Sequence, residues 1–421
     1  MMTKTEYPGI GETLYSGTLE NGLSVRVIPK PGFSSVYALF GTHYGGAMRR
    51  FELDGETIDT PAGVAHFLEH KMFDMPDGEN ALSTLSANGA NPNAFTSSGV
   101  TCYYFSCTNA FYDNLKMLLH FVSTPYFTAE TVQKEQGIIG QEIQMGIDSP
   151  GSSLYYNLLG LLYDHHPIRD KIEGSIESIA EITADTLYHC HKVFYAPSNM
   201  VLCVEGDVDP EEVFRIASEE LCSEYQSVPH ADYGEPETLF PAEKEKSVEM
   251  EVSAPQFLIG SKICPNPSIR ERLTGTLALT LLVGPSSPFY AKLYDEGTLN
   301  RDFDFEVDYS AGTGTVIIGG ESKNPEKVLS EFNAEVKRIT ESGFDDACFS
   351  RALRASIGGK LRSLEDFENT CVSLGCCIFD GYNFFDSFDE MQNITKHDCE
   401  QWIAENLCEE KLAISVVRPN K

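Results

Sequence analysis

The sequence predicts an α+β protein of two homologous domains, each a mainly antiparallel β-sheet packed with helices. Three observations carry this. Strand-like stretches of period two are interleaved with helical stretches of period 3.6 along the whole chain. The same order of elements occurs twice, about 200 residues apart, as expected for two copies of one fold. Between the copies lies "SEYQSVPHADYGEPETLFPAEKE" (223–245), which is polar, holds three prolines and has no periodicity, so it reads as a linker. The domains are accordingly 1–222 and 246–421.

The elements of the first copy follow in order. "TCYYFSC" (101–107) alternates as a strand, and "NAFYDNLKMLLHFV" after it has helical spacing. A Phe-led helix comes next, "FTAETVQKEQGIIGQEIQ" from Phe127. The copy closes with the helical "EITADTLYHCHKVFY" and the strand "NMVLCVEGD". The second copy repeats each step. "TVIIGGES" (315–322) precedes "NPEKVLSEFNAEVKRI", where Pro325 suits a first helical turn. "FDDACFSRALRASIGGKL" starts at Phe344, and "NITKHDCEQWIAENL" leads to "KLAISVVRP".

Composition narrows the function. The 421 residues are 42% hydrophobic and 22% charged, which is ordinary for a globular chain. No stretch approaches the roughly 18 apolar residues of a membrane helix, and the N-terminus lacks a signal-peptide core. These features point to the cytoplasm and away from a membrane partner. The twelve cysteines are scattered through apolar stretches without C-x-x-C pairs, as expected of buried free thiols. A net charge of −32 disfavours nucleic acid, which needs clustered Lys and Arg. It also favours cationic peptides by long-range attraction.

"DTPAGVAHFLEHKMF" (59–73) carries the chemistry. Thr60 is a good N-cap and Pro61 suits the first helical position. Within a helix His66 and His70 are i and i+4, so they project from one face about 5–6 Å apart. That spacing suits two imidazoles on one Zn²⁺. Glu69 lies beside the second histidine, within reach of a metal-bound water without being a ligand. A third ligand comes from "KEQGIIGQEIQM" (134–145), where Glu135 and Glu142 are two helical turns apart on one face. Aligning Phe127 with Phe344 sets Ala352 opposite Glu135 and Gly359 opposite Glu142. The second copy therefore keeps the scaffold without the carboxylates, which favours a functional role for them. Two further histidine groups, "HCH" (189–191) and "DHH" (164–166), are weaker candidates. In the first, i and i+2 residues on a helix point apart.

H-x-x-E-H is the inverzincin arrangement, and the sequence resembles the pitrilysin/insulinase family of zinc metallopeptidases, including the mitochondrial processing peptidase type. The resemblance runs through "GVAHFLEHKMF", "GANPNAFTSSGVTCYYF", "KEQGIIGQEI", "HPIRDKIEGSIESI" and "YAPSNMVLCVEGDVD". It implies one Zn²⁺ per chain on His66, His70 and Glu142, with Glu69 as general base and Glu135 supporting the site from behind. It also implies that Asn93, Ala94, Phe95 and Thr96 pair with extended peptide substrate. The chain is then expected to be a zinc-dependent endopeptidase. The alternatives are a scaffold subunit that has lost catalysis, or a protein that holds peptides without cleaving them.

The resemblance further implies a partner. Full-length members carry four such domains that close like a clamshell, and this chain would be half of one. In the family the half facing the zinc supplies an Arg and, seven residues on, a Tyr. Here "SSPFYAKLYDEGTLNRDFDFE" (286–306) has Tyr294 near the place of the Arg, followed by Asp295 and Glu296. Arg301 and Tyr309 are eight apart and lie past Gly297. The expected assembly is therefore a dimer, preferably a heterodimer with a zinc-free relative that contributes the Arg and Tyr.

Overall fold

A computed structural model describes residues 2–420. The chain forms two compact units. One comprises the chain up to Ile143 with Lys171–Tyr233 and Leu361–Phe385; the other comprises Gln144–Asp170, Gly234–Lys360 and the chain from Asp386 onward. Each unit has the sheet-plus-helix composition expected of an α+β domain.

The first unit contains strands β1 (Thr3–Tyr7), β2 (Glu12–Thr18), β3 (Ser24–Pro29), β4 (Val36–Thr42), β5 (Arg50–Leu53), β6 (Glu56–Asp59), β7 (Ala90–Thr96), β8 (Thr101–Cys107), β9 (Met200–Gly206) and β10 (His230–Ala231). Seven of them form one sheet in the order β1-β2-β3-β9-β4-β8-β7, and β10-β5-β6 form a small second sheet. In the large sheet only the β3–β9 pair is parallel. The alternation read in 101–107 is seen directly. Tyr103 and Phe105 point into a core with Phe40, Phe67, Leu118, Phe121, Phe194 and Leu202, each fully buried side chain contributing roughly 1.5–3 kcal/mol. Strands β4 and β9 are buried along their whole length. Their second face is covered by the helix Phe367–Phe379. Gly375 of that helix faces the sheet, where a Cβ would lie 3.4 Å from Val201 Cγ1, at ordinary van der Waals distance.

The second unit contains β11 (Glu245–Met250), β12 (Gln256–Lys262), β13 (Asp304–Asp308), β14 (Thr315–Glu321) and β15 (Leu412–Pro419), in the order β11-β15-β12-β14-β13. Its β11–β15 pair is parallel and the other pairs are antiparallel. This reproduces β3-β9-β4-β8-β7 strand for strand, so the repeat read from the sequence is a repeat of topology. Phe257, Leu277, Leu282, Phe332 and Ile403 form its core against one face of the sheet. The helix Pro150–Leu162 covers the other face, and a Cβ on Gly260 would meet Leu158 Cδ2 at 2.9 Å.

Among the described residues no helix is long and apolar enough to cross a membrane. One local expectation is corrected. The H-x-x-E-H helix runs Val64–Lys71, and its N-cap is Gly63 at φ 96°, not Thr60. Thr60 instead bonds through both its N–H and its hydroxyl to the Arg49 carbonyl, at 2.7 and 3.0 Å. The helix begins late because the Glu173 carbonyl presses on Gly63, where a Cβ would lie 2.6 Å from it. Only glycine combines that approach with a left-handed backbone at little cost.

Candidate metal centre

Three segments meet at the site. The helix Val64–Lys71 buries Val64, Ala65, Phe67 and Leu68 in the core. This leaves His66, Glu69 and His70 half-buried along its remaining face. The long helix Ala129–Asp148 anchors through Val132, Ile139 and Ile143. Its Glu135 and Glu142 stand toward the histidines, as their seven-residue spacing requires. Strand β7 ends the large sheet and packs against the first helix.

The imidazoles of His66 and His70 lie 4.6 Å apart between centroids. Glu142 Oε2 is 3.8 Å from His66 Nε2 and 3.7 Å from His70 Nε2. One donor atom from each of the three residues falls within 4.8 Å of the others, the group among the described residues so placed for a metal ion. A tetrahedral zinc with bonds near 2.0–2.1 Å sets its ligand atoms about 3.3–3.5 Å apart. The donor set therefore fits zinc in chemistry, and Glu142 lies within a few tenths of an ångström of the required span from each histidine.

The two histidines are held differently. His70 Nδ1–H donates to Glu135 Oε1 at 2.9 Å, which turns Nε2 toward the site and fixes the tautomer. Burial alone would lower the His70 pKa, but the Glu135 hydrogen bond and the Glu142, Glu135 and Glu69 charges outweigh it and raise it. His66 is pushed down to about 4 by burial and by the charge of His70. A neutral imidazole is the ligating form. Burial raises the Glu69 carboxyl, opposed by the Thr96 hydrogen bond and the charge of His70.

The expected substrate strand is β7. Asn93 is exposed and accepts from the Ala94 N–H at 2.9 Å. Ala94 and Phe95 are half-buried, the latter beside Tyr104 with centroids 6.3 Å apart. Thr96 faces inward and its hydroxyl donates to Glu69 Oε2 at 2.6 Å. That contact was not readable from the sequence. It depends on β7 crossing the first helix, and no spacing encodes the crossing. The other histidine groups are structural. His191 is buried and bonds to the Val122 carbonyl at 2.9 Å, while His189 is exposed. In 164–166 the backbone N–H groups converge on the Glu237 carboxylate.

Comparison with known proteins follows these features closely. The family model described as Insulinase (Peptidase family M16) matches residues 55–175, and the one described as Peptidase M16 inactive domain matches 181–356. The zinc protease YmfH of Bacillus subtilis (strain 168), itself uncharacterized, is 36% identical over the full length of both chains. A crystal structure from Alicyclobacillus acidocaldarius, described as M16-like, aligns with a TM-score of 0.93 and 32% identity over 99% of this chain and 100% of that one. The first half of the periplasmic protease PqqL from Escherichia coli shares the fold, with a TM-score of 0.74 and 16% identity over 97% of this chain and 92% of that one.

Proposed function

As this chain belongs to the insulinase family of M16 peptidases, we propose that it is a zinc-dependent endopeptidase acting on peptides and unfolded segments. The observation that carries this reading is the convergence of Glu142 with His66 and His70 within 4.8 Å, the two histidines lying on the helix that also presents Glu69. Those three residues would hold one zinc ion per chain. When bound, the metal supplies a Lewis acid that makes a water nucleophilic near neutral pH and polarises the scissile carbonyl.

The protein's own groups do the rest. Glu69 Oε2 is held by Thr96, and Oε1 remains to take a proton from the attacking water and return it to the leaving amine. Glu135 keeps His70 oriented. The edge of β7 at Asn93, Ala94, Phe95 and Thr96 receives substrate in extended form, so folded proteins are poor substrates.

The reading includes a partner. Arg301 is hydrogen-bonded to Tyr294, and Arg272 lies 4.6 Å over the Tyr309 ring; with their eight-residue spacing, these contacts argue against Arg301 and Tyr309 as the oxyanion donors. A different, zinc-free relative would supply the Arg and Tyr that stabilise developing negative charge. The test is chelation followed by zinc addition, with cleavage of an unstructured fluorogenic peptide as readout. Activity should vanish and return, in the presence of such a relative if not alone. A chain that binds stoichiometric zinc and cleaves no peptide in either setting would reject catalysis and favour a scaffold or peptide-holding role.

A further inference from the structure

We propose that Thr96 is a positioning residue for Glu69, fixing the carboxylate in the orientation that proton transfer needs; this rests on the peptidase reading above. Among the described residues, Thr96 is the hydrogen-bond partner of the Glu69 carboxylate, through Oε2 at 2.6 Å. The contact belongs to a built chain. Thr96 Oγ1 lies 3.1 Å from Thr101 Oγ1, and the Thr101 hydroxyl donates to the Tyr44 carbonyl at 2.9 Å.

The proton inventory gives this chain a direction. A carbonyl accepts only, and so does an ionised carboxylate. The Thr101 proton therefore goes to Tyr44 or to Thr96. The 2.6 Å contact with an ionised Glu69 uses the Thr96 proton. Thr101 either donates to Thr96 Oγ1 or, when it donates to Tyr44, stands at 3.1 Å as a longer acceptor than the carboxylate.

The hydroxyl pair is also placed rigidly. Thr96 and Thr101 are register partners at the closed end of the β7–β8 hairpin. The turn is tied by Ser97, whose N–H donates to the Val100 carbonyl at 2.8 Å and whose hydroxyl accepts from the Val100 N–H at 3.1 Å. The segment that offers the Tyr44 carbonyl then clamps the turn from outside. Gly46 and Ala47 donate to the Ser97 and Ser98 carbonyls at 2.9 and 3.0 Å. A Cβ on Gly45 would lie 2.5 Å from the Gly99 nitrogen, so the two loops are in direct backbone contact. A carboxylate held by a group so constrained loses little orientational freedom, and misplacement of a reacting group by about an ångström costs on the order of a hundredfold in rate.

The experiment compares Thr96→Val, which keeps shape and removes the donor, with Thr96→Ser, which keeps the donor. The full chain is used, with zinc content measured in each sample and an unstructured fluorogenic peptide as probe. Thr96→Val should lower kcat about tenfold to a hundredfold with KM and zinc unchanged, and Thr96→Ser should recover most of the loss. A zinc-loaded Thr96→Val protein with wild-type kcat, or a Thr96→Ser protein that falls equally far, would overturn the proposal. A second arm does not depend on catalysis. In the metal-free chain, Thr96→Val should lower the melting temperature when Glu69 is present and by clearly less in a Glu69→Ala background. Equal shifts in the two backgrounds would overturn the contact itself. Coupled shifts in a chain that cleaves no peptide either alone or mixed with a zinc-free relative would instead reject the peptidase reading, and the positioning role with it.

Discussion

His66 and His70 stand one helical turn apart, yet their surroundings push them in opposite directions. Burial and the neighbouring charge hold His66 neutral, down to about 4, while acidic neighbours raise His70. The three proposed ligands should therefore be separable from the group behind them. His66→Ala and Glu142→Ala are expected to abolish zinc binding by elemental analysis. Glu135→Gln is expected to keep fold and zinc but weaken zinc affinity about ten- to a hundredfold in a chelator competition, the usual effect of losing a group that orients a ligand. Undiminished affinity would remove Glu135 from the site. A second buried carboxyl, Glu205, lies outside the centre. Burial raises it to about 8, against the pull of Lys30 and with help from Glu12 and Asp366. Lys30 Nζ is 3.2 Å from Glu205 and 2.5 Å from Glu12. A carboxyl that holds its proton to about pH 8 when folded, against 4.5 otherwise, favours the folded state fully below the lower value. That contribution is lost as pH climbs toward and through the higher one. Glu205→Gln is thus expected to raise the denaturation midpoint at pH 9, with the gain shrinking toward zero at pH 5. Lys30 keeps Glu12 as partner in the variant. A gain independent of pH would show that Glu205 does not titrate in this range.

The helix that carries the histidines begins at a glycine, and that start is the most fragile backbone feature of the site. Gly63→Ala would place a Cβ 2.6 Å from the Glu173 carbonyl at φ 96°. It is expected to cost about 1–3 kcal/mol in urea denaturation, with zinc binding weakened in parallel. An unchanged midpoint would mean the loop yields freely. This start also marks how far sequence reading reaches. Strand β8 was legible from its β-branched and aromatic residues, and its alternate residues Tyr103, Phe105 and Cys107 share the core face. The spacing of Glu135 and Glu142 was legible as one helix face. Thr60-Pro61 looks like a helix start locally, and tertiary packing against Glu173 overrides it. The helices Pro150–Leu162 and Phe367–Phe379 show the same limit. Their apolar faces announce burial, but periodicity does not say which sheet each one covers, and each covers the sheet of the unit formed mostly by the other half of the sequence.

At the scale of the whole molecule, two copies of one sheet topology have diverged in chemistry. The first retains H-x-x-E-H and two carboxylates, while the second has Ala352 and Gly359 at the matching helix positions. If the missing oxyanion donors come from a zinc-free relative, mixing the two chains should raise turnover of a fluorogenic peptide well above that of either alone. High activity of this chain alone, unchanged on mixing, would locate the donors within it. The net charge of −32 adds that basic peptides should be cleaved faster than acidic ones at low salt, with the difference shrinking as salt is added. Beneath both expectations lies the claim that Glu69 moves the proton at a zinc centre built by its neighbours. The most direct test is turnover of Glu69→Gln with zinc content measured in the same sample. The account predicts stoichiometric zinc, an unchanged fold and a loss of at least about a hundredfold in turnover. Near-wild-type turnover in the zinc-loaded variant would contradict it.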